Sequence, residues 1–238
     1  MDIEPLQYVW FILIAMLWTG YLVLEGFDFG VGMLLPVLGN RRKFGAERAE
    51  KRRRTVINSI APVWDGNEVW LITAGAATFA AFPEWYATLF SGFYLPLFLI
   101  LVALIVRVCA LEWRAKINQD NWRAGWDRMI VFGSVAPAFL WGLAFANIVA
   151  GVPIDADKNY TGTLFTLLNP YALLGGLATL SLFLLHGAVF LALKTDGEVR
   201  RDAGDLAAKL SLPTLIIAGV WAVWTQLASG KAWTWVVV

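Results

Sequence analysis

Long apolar runs recur along this sequence, and they constrain its fold more than any other feature. A helix needs about 20 consecutive apolar residues to cross the hydrocarbon core of a bilayer. The predicted spans are 8–38, 56–82, 86–111, 128–151, 166–193 and 207–229, and a seventh is expected to begin near Trp233. Hydrophobic residues make up 59% of the chain and charged residues only 16%, whereas soluble domains are closer to a half and a quarter. The sequence therefore predicts an all-α polytopic integral membrane protein with six transmembrane helices and the start of a seventh.

Basic residues are concentrated in every second connection between these spans. The segments 39–55, 107–128 and 194–209 hold 17 of the 19 Lys and Arg residues, and the other connections hold Lys158 and Lys231. Because cytoplasmic loops are enriched in Lys and Arg, we predict that these three segments are cytoplasmic and that the N-terminus lies outside. A run such as that at 41–54 also occurs in nucleic-acid patches. Between two membrane spans it is better interpreted as a topology signal, and no nucleic-acid partner is expected.

Four acidic residues fall inside the predicted spans, namely Glu25, Asp28, Asp65 and Glu68. Within each pair the spacing is three residues, which places both carboxylates on one helix face. Measured from span ends near 37 and 56, Asp28 and Asp65 are each 9 residues deep, and Glu25 and Glu68 are each 12 residues deep. At 1.5 Å per residue, the shallower pair lies about 14 Å from the boundary. The sequence therefore predicts that these four residues form one polar seam between the two helices. In this seam Glu25 faces Glu68, and Asp28 faces Asp65.

Two interpretations of the seam remain open. Ionisable residues inside a membrane usually mark an ion or proton pathway, so the carboxylates can hold exchangeable protons. Alternatively, they are hydrogen-bonded to Asn58, Asn67, Trp64 or a neighbouring subunit and only fix the packing. Trp64 and Trp70 flank the second acidic pair and are predicted to pack in the same seam.

The chain offers few ligands for a redox centre. It has one histidine, His186, and one cysteine, Cys109, so neither bis-histidine haem ligation nor an intrachain disulfide is possible. We expect His186 to be an interior group, and we find no zinc spacing, phosphate-binding loop or dinucleotide motif. We therefore predict no metal site and no catalytic residue in this chain.

Several segments resemble the signature stretches of subunit II of cytochrome bd-type quinol oxidases. They are LEGFDFGVGML (24–34), INSIAPVWDGNEVWLITAGAATFAAFP (57–83), WYATLFSGFYLPL (85–97), ALEWRAKI (110–117), WGLAFANIVAGVP (141–153), NPYALLGG (169–176) and ALKTDG (192–197). The resemblance covers nearly the whole chain, and the WDGNEVW stretch is its most specific part. The pattern is most similar to that of actinobacterial members.

The resemblance implies a fold of eight spans in two four-helix groups. The chain would then be a single membrane domain over 1–238, with the first group at about 1–151 and a partial second group at about 166–238, so it is expected to be C-terminally incomplete. The implied enzyme is a terminal oxidase of the bacterial plasma membrane that oxidises quinol and reduces dioxygen to water. Subunit I would carry two b-type haems and one d-type haem. Subunit II would bind no haem with its own ligands and would form a heterodimer with subunit I. Membrane lipids, quinol, small accessory subunits and a structural quinone are the other partners implied.

The family's functional positions map onto the same acidic residues. Its proton-path carboxylate in the WDGN motif falls on Asp65, and the acidic positions of the first span fall on Glu25 and Asp28. Trp70 matches the tryptophan linked to oxygen access. Glu68 stands where other members carry Gln.

Two other functions are compatible with the sequence. One is a purely structural subunit of the same complex, whose polar seam only holds the assembly together. The other is a proton-coupled secondary transporter, which requires broken helices and repeat symmetry. Neither feature is evident in the sequence.

Overall fold

The computed structural model describes residues 4–231 and 234, and helices dominate this part of the chain. The helices are α1 (Pro5–Leu38), α2 (Arg41–Phe44), α3 (Ala46–Ile60), α4 (Trp64–Ala81), α5 (Pro83–Gly92), α6 (Tyr94–Trp113), α7 (Asp120–Ala150), α8 (Leu164–Leu167), α9 (Pro170–Lys194) and α10 (Gly197–Ser229). The all-α class predicted from the apolar runs is confirmed for these residues.

Five helices are long and apolar enough to cross a membrane, namely α1, α6, α7, α9 and α10. The remaining predicted span contains α4, whose hydropathy is lowered by Asp65, Asn67 and Glu68 in its first turns. This helix nevertheless packs along α1. The predicted start of a seventh span near Trp233 lies outside the described residues.

The predicted span 56–82 is not one helix. The helix α3 ends at Ile60 and α4 begins at Trp64. Pro62 lies between them and has no N–H with which to continue the helical hydrogen bonds, and the backbone leaves helical geometry at Val63, with φ −133°. The expectation of a continuous helix here was wrong.

The predicted span 86–111 is divided in the same way. Phe93, with φ −101° and ψ 19°, separates α5 from α6. Pro96 follows in the first turn of α6. Because proline has no N–H, it cannot donate the backbone hydrogen bond that would continue α5 into α6. The membrane-spanning helix is therefore α6 alone, and α5 is a short element before it.

The helix α1 lies at the centre of the fold and contacts α4, α7 and α9. Its glycines allow this close packing. A methyl group at Gly30 would overlap the backbone of Gly187 on α9, and one at Gly32 would overlap the hydroxyl of Ser134 on α7. The small-residue spacing that includes Gly26 and Gly30 thus serves helix approach.

Arginines of α3 hold the end of α1. Arg52 Nε donates to the Leu38 carbonyl at 2.6 Å, and Arg53 Nε donates to the Gly39 carbonyl at 2.9 Å. Because the last carbonyls of a helix have no intrahelical partner, these bonds cap α1. The basic segment 39–55 is therefore largely helical and has a structural role as well as the predicted topological one.

Candidate functional site

A buried arginine joins three helices at the level of the acidic seam. Arg107, in α6, is fully buried. Its Nη1 atom donates to Glu25 Oε1 at 2.6 Å and to Glu68 Oε1 at 3.2 Å. Glu25 and Glu68 thus face each other as predicted, and Arg107 lies between their carboxylates.

Arg107 lies inside α6, so its assignment to the basic connection 107–128 was wrong. The residue lies six positions before the end of α6 at Trp113, which corresponds to about 9 Å along the helix. It is the only charged residue of the run LILVALIVRVCAL. An isolated arginine inside a membrane is costly unless it is paired, and that cost is the signal by which it could have been assigned to the acidic seam.

The second predicted pairing is not formed. Asp28 Oδ2 accepts a hydrogen bond from Asn67 Nδ2 at 2.7 Å, so Asn67 occupies the position expected for Asp65. The same amide also donates to the Leu24 carbonyl at 3.3 Å. Asn67 had been proposed as a hydrogen-bonding partner in the packing interpretation, and this contact supports that part of it.

Asp65 is exposed on the described chain. Its Oδ1 atom accepts from the backbone N–H of Gly66 at 2.8 Å, within the first turn of α4. A carboxylate in this position is favoured by the positive end of the helix dipole. Asp65 therefore points away from the Asp28 carboxylate while remaining one helical turn from Glu68.

The two candidate tryptophans have different surroundings. Trp64 is half-buried at the first residue of α4. Trp70 is 38% exposed, and one edge of its ring lies against Gly20 of α1, where a methyl group would collide with it. Trp70 therefore packs across the α1–α4 contact, but on the outer surface of this chain.

The cluster of Arg107, Glu25, Glu68 and Asp28 has more hydrogen-bonding capacity than the described residues satisfy. Four buried atoms have no partner among them, namely Glu25 Oε2, Asp28 Oδ1, Arg107 Nε and Arg107 Nη2. Buried polar atoms are normally hydrogen-bonded, and internal water supplies the bond where protein does not. Two of the three carboxyl groups, those of Glu25 and Glu68, also share one guanidinium. This arrangement suits hydrated, exchangeable protons.

His186 does not lie in this cluster. It is half-buried in α9 and meets the ring of Phe27 edge-on, with 5.6 Å between ring centroids. Within residues 4–231 and 234, no three His, Cys, Asp or Glu side chains are grouped so that they could hold a metal ion.

An apolar cleft of about 670 Å³ lies away from the charged cluster, toward the other end of α1. Trp18, Trp85 and Trp141 are among the residues that line it, together with Phe93. The indole of Trp141 donates to Tyr21 Oη at 3.0 Å, so its polar atom is already bonded. The cleft therefore suits an apolar occupant.

Comparison with known proteins identifies relatives of the whole chain. The family model described as cytochrome bd terminal oxidase subunit II matches residues 6–238. The chain is 43% identical over 230 residues to the cytochrome bd-I ubiquinol oxidase subunit 2 of Escherichia coli K12, covering 94% of this chain and 59% of that protein. It is 44% identical over 227 residues to the probable cytochrome oxidase subunit 2 of Haemophilus influenzae, covering 92% of this chain and 58% of that protein. Cytochrome bd ubiquinol oxidase subunit 2 of Bacillus subtilis is 43% identical over 205 residues, covering 86% and 58% respectively.

These relatives are longer than this chain, which spans about three fifths of their length. The family and the five apolar helices place the chain in the bacterial plasma membrane as a multi-pass protein. The match over residues 6–238 confirms the resemblance seen in the sequence motifs. The chain belongs to the cytochrome bd terminal oxidase subunit II family.

Proposed function

We propose that this chain is the haem-free subunit II of a cytochrome bd quinol:dioxygen oxidoreductase and that it supplies a proton path from the cytoplasm. In the proposed complex, quinol is oxidised, dioxygen is reduced to water, and both redox reactions take place in subunit I. The observation that supports the proton path is the buried cluster of Arg107, Glu25, Glu68 and Asp28 with its unpartnered polar atoms. Haems in subunit I would supply the electron transfer and the oxygen chemistry.

The proposed route begins at Asp65, the exposed carboxylate at the start of α4. Glu68 follows one turn deeper, and its side chain is 21% exposed. The Glu25 side chain is fully buried and shares Nη1 of Arg107 with Glu68. Exposure thus falls along the sequence Asp65, Glu68 and Glu25, as expected for a path that leads from water into the membrane interior.

Arg107 gives this path a fixed positive charge. A carboxylate at low dielectric is strongly disfavoured without a counter-charge. Because Arg remains protonated at any physiological pH, Arg107 stabilises negative charge on Glu25 or Glu68 without itself exchanging protons. Asp28, bonded to Asn67 and otherwise unpartnered at Oδ1, provides a further proton-holding group beside them.

The distribution of arginines supports an entrance to the proton path on the cytoplasmic side. The arginines of α2 and α3 and those near the start of α7 lie at one end of the bundle, close to the end of α1. Under the positive-inside rule this end faces the cytoplasm, and the N-terminus lies outside. Proton uptake from that side, combined with quinol oxidation outside, would make the reaction electrogenic.

The test is Asp65→Asn in the complete complex, compared with Asp205→Asn, which alters an exposed aspartate of α10. We expect Asp65→Asn to assemble with its full haem content but to lose at least tenfold in oxygen consumption and in membrane-potential formation, while Asp205→Asn retains both. A fully assembled, haem-loaded Asp65→Asn variant with undiminished oxygen consumption and membrane potential would contradict the proton path.

A purely structural subunit is the second candidate, and the three-helix linkage through Arg107 favours it. This function predicts that Asp65→Asn loses haem content and assembly before it loses turnover. The exposed position of Asp65 makes the two outcomes separable, since its carboxylate supports no described contact between helices.

The transporter alternative gains one feature that the sequence did not reveal, namely breaks between α3 and α4 and at Phe93. Transporter sites, however, are formed where helices break near the midplane. Pro62 and Phe93 precede the first residues of α4 and α6, so neither break falls inside the helices that carry Glu68 and Arg107. Purification of the complete protein without haem and without a larger partner would favour this alternative.

The apolar cleft supports the proposal of a structural quinone. Its volume of about 670 Å³ and its aromatic lining suit part of an isoprenoid quinone. Replacing Ala144, which lines the cleft, by Phe should reduce the quinone extracted from the purified complex. Unchanged quinone content in that variant would place any bound quinone elsewhere.

A further inference from the structure

A groove between the end of α1 and the first turns of α7 combines basic and apolar walls. Its volume is about 380 Å³. Arg41, Arg53 and Arg128 form its basic lining. Leu35, Pro36, Ala124 and Val131 form its apolar part, and Asp127 is its one carboxylate. The groove is separate from the acidic seam and from the apolar cleft.

The carboxylate of Asp127 does not oppose a negative ligand. Arg53 Nη1 donates to Asp127 Oδ2 at 2.9 Å, and Arg114 also pairs with this carboxylate. Two guanidinium groups therefore already compensate one carboxylate. Arg41 pairs with Asp120 at 2.6 Å, while its side chain remains 38% exposed.

Arg128 is the free cation of the groove. It is exposed, and no carboxylate within residues 4–231 and 234 lies within 4.0 Å of it. It lies eight residues after the start of α7, or about 12 Å along the helix, on a stretch that continues into apolar residues. Arg128 is the first residue of the predicted span 128–151, and from this boundary a long arginine side chain extends toward the polar region.

We propose that this groove binds the phosphate group of an anionic membrane phospholipid. The occupant follows from position and charge, since the apolar wall lies at the end of a membrane-spanning helix and the arginines lie beside it. Basic pockets between membrane helices at this boundary are suited to anionic headgroups. Guanidinium groups bind phosphate through paired hydrogen bonds, and an acyl chain can lie along Pro36 and Val131. The inference does not depend on the proton path.

The test titrates the complete complex, in mild detergent and depleted of lipid, with phosphatidylglycerol, phosphatidylcholine and inorganic phosphate, using native mass spectrometry. We expect phosphatidylglycerol to bind more tightly than the other two. Arg128→Gln should weaken its binding about fivefold, which corresponds to about 1 kcal/mol for one basic residue near the surface. Arg42→Gln removes an exposed charge from the same end of the bundle but outside the groove, and it should change binding less than twofold.

A second variant separates a lipid from a small anion. Val131→Phe narrows the apolar wall without changing charge, so it should weaken phosphatidylglycerol binding while leaving any binding of inorganic phosphate unchanged. Equal weakening by Arg128→Gln and Arg42→Gln would overturn the proposal in favour of diffuse surface charge. Competition of inorganic phosphate with phosphatidylglycerol at equal affinity would overturn it in favour of a small-anion site.

Discussion

At the residue scale, Arg107 determines the electrostatics of the membrane interior of this chain. It is fully buried and bonded to two carboxylates from two other helices. Removing one partner of a buried ion pair leaves an uncompensated charge, which costs far more than the pair itself contributes. The residue therefore holds the site together even though it exchanges no protons.

We predict that Arg107→Gln destabilises the protein by about 3–5 kcal/mol, because Glu25 and Glu68 lose their counter-charge. The measurement is the thermal unfolding midpoint of the purified complex. Arg201→Gln, at an exposed position in α10, should leave the midpoint nearly unchanged. The double variant Arg107→Gln with Glu25→Gln should be more stable than the sum of the single effects implies, because it removes both charges of the pair. Strict additivity would contradict direct coupling.

Three of the four members of this cluster are predictable from the sequence. Glu25, Asp28 and Glu68 stood out because acidic residues are rare in apolar spans. Arg107 did not, because it was counted with the basic residues that follow α6. Equal distance from the span ends correctly predicted that Glu25 and Glu68 lie close together. It gave no indication that Asn67, and not Asp65, would contact Asp28. Equal depth fixes a level in the membrane, whereas the direction of each side chain depends on the rotation of its helix.

At the element scale, α1 and α9 approach each other through glycine. A methyl group at Gly187 would overlap the backbone of Gly30 and Val31. Without side chains at the crossing, the two backbones pack directly, which is a common basis of helix association in membranes. Gly30 lies two residues after Asp28, so the crossing with α9 is close to the level of the acidic seam on α1.

We predict that Gly187→Ala destabilises the protein by about 1–3 kcal/mol through overpacking at the crossing of α1 and α9. Gly219→Ala is the matched control, since nothing lies within 4 Å of the added methyl group and alanine favours a helix. Thermal unfolding of both variants tests this expectation. If Gly187→Ala were as stable as the control, the close approach would not be a requirement of the fold.

The elements predicted from the sequence differ in how well they match the structure. Spans of apolar residues without an internal break, such as 8–38, correspond to single helices because length and hydropathy suffice to define them. Three predicted spans, 56–82, 86–111 and 166–193, each contain a helix break near a proline; in the last, α8 ends at Leu167 and α9 begins at Pro170. Their apolar character continues through the break, so hydropathy alone cannot detect it.

At the scale of the whole molecule, ion pairs at the basic end connect elements that are distant in sequence. Arg114, after α6, pairs with Glu50 on α3 and Asp127 on α7. Arg52 on α3 pairs with Asp202 on α10. Burial alone would raise the pKa of Glu50, but hydrogen bonds from Arg114 and Arg54 outweigh it and lower the pKa to about 2. These contacts were not predictable from loop charge, which indicated orientation but no partners.

The lowered pKa of Glu50 predicts a specific pH dependence. Since the pKa is about 2 in the folded protein and 4.5 for the side chain in the unfolded chain, the stabilisation by ionised Glu50 is present above about pH 4.5 and is lost as pH falls toward 2. Glu50→Gln should therefore lower the unfolding midpoint at pH 6 and differ progressively less from the parent protein between pH 4.5 and 3. Glu47→Gln, at an exposed position on α3, should show no such convergence. A constant difference for Glu50→Gln would contradict the assignment.

The order of helices along the chain has a consequence for biogenesis. Glu25 and Glu68 lie in α1 and α4, whereas their common counter-ion lies in α6 and is synthesised later. The ribosome therefore delivers both carboxylates to the membrane before the guanidinium exists. A nascent chain that ends before α6 holds an incomplete ion cluster, and α4 cannot rely on its own hydropathy to stay in the bilayer. We therefore expect stable integration of α4 to depend on the later synthesis of α6.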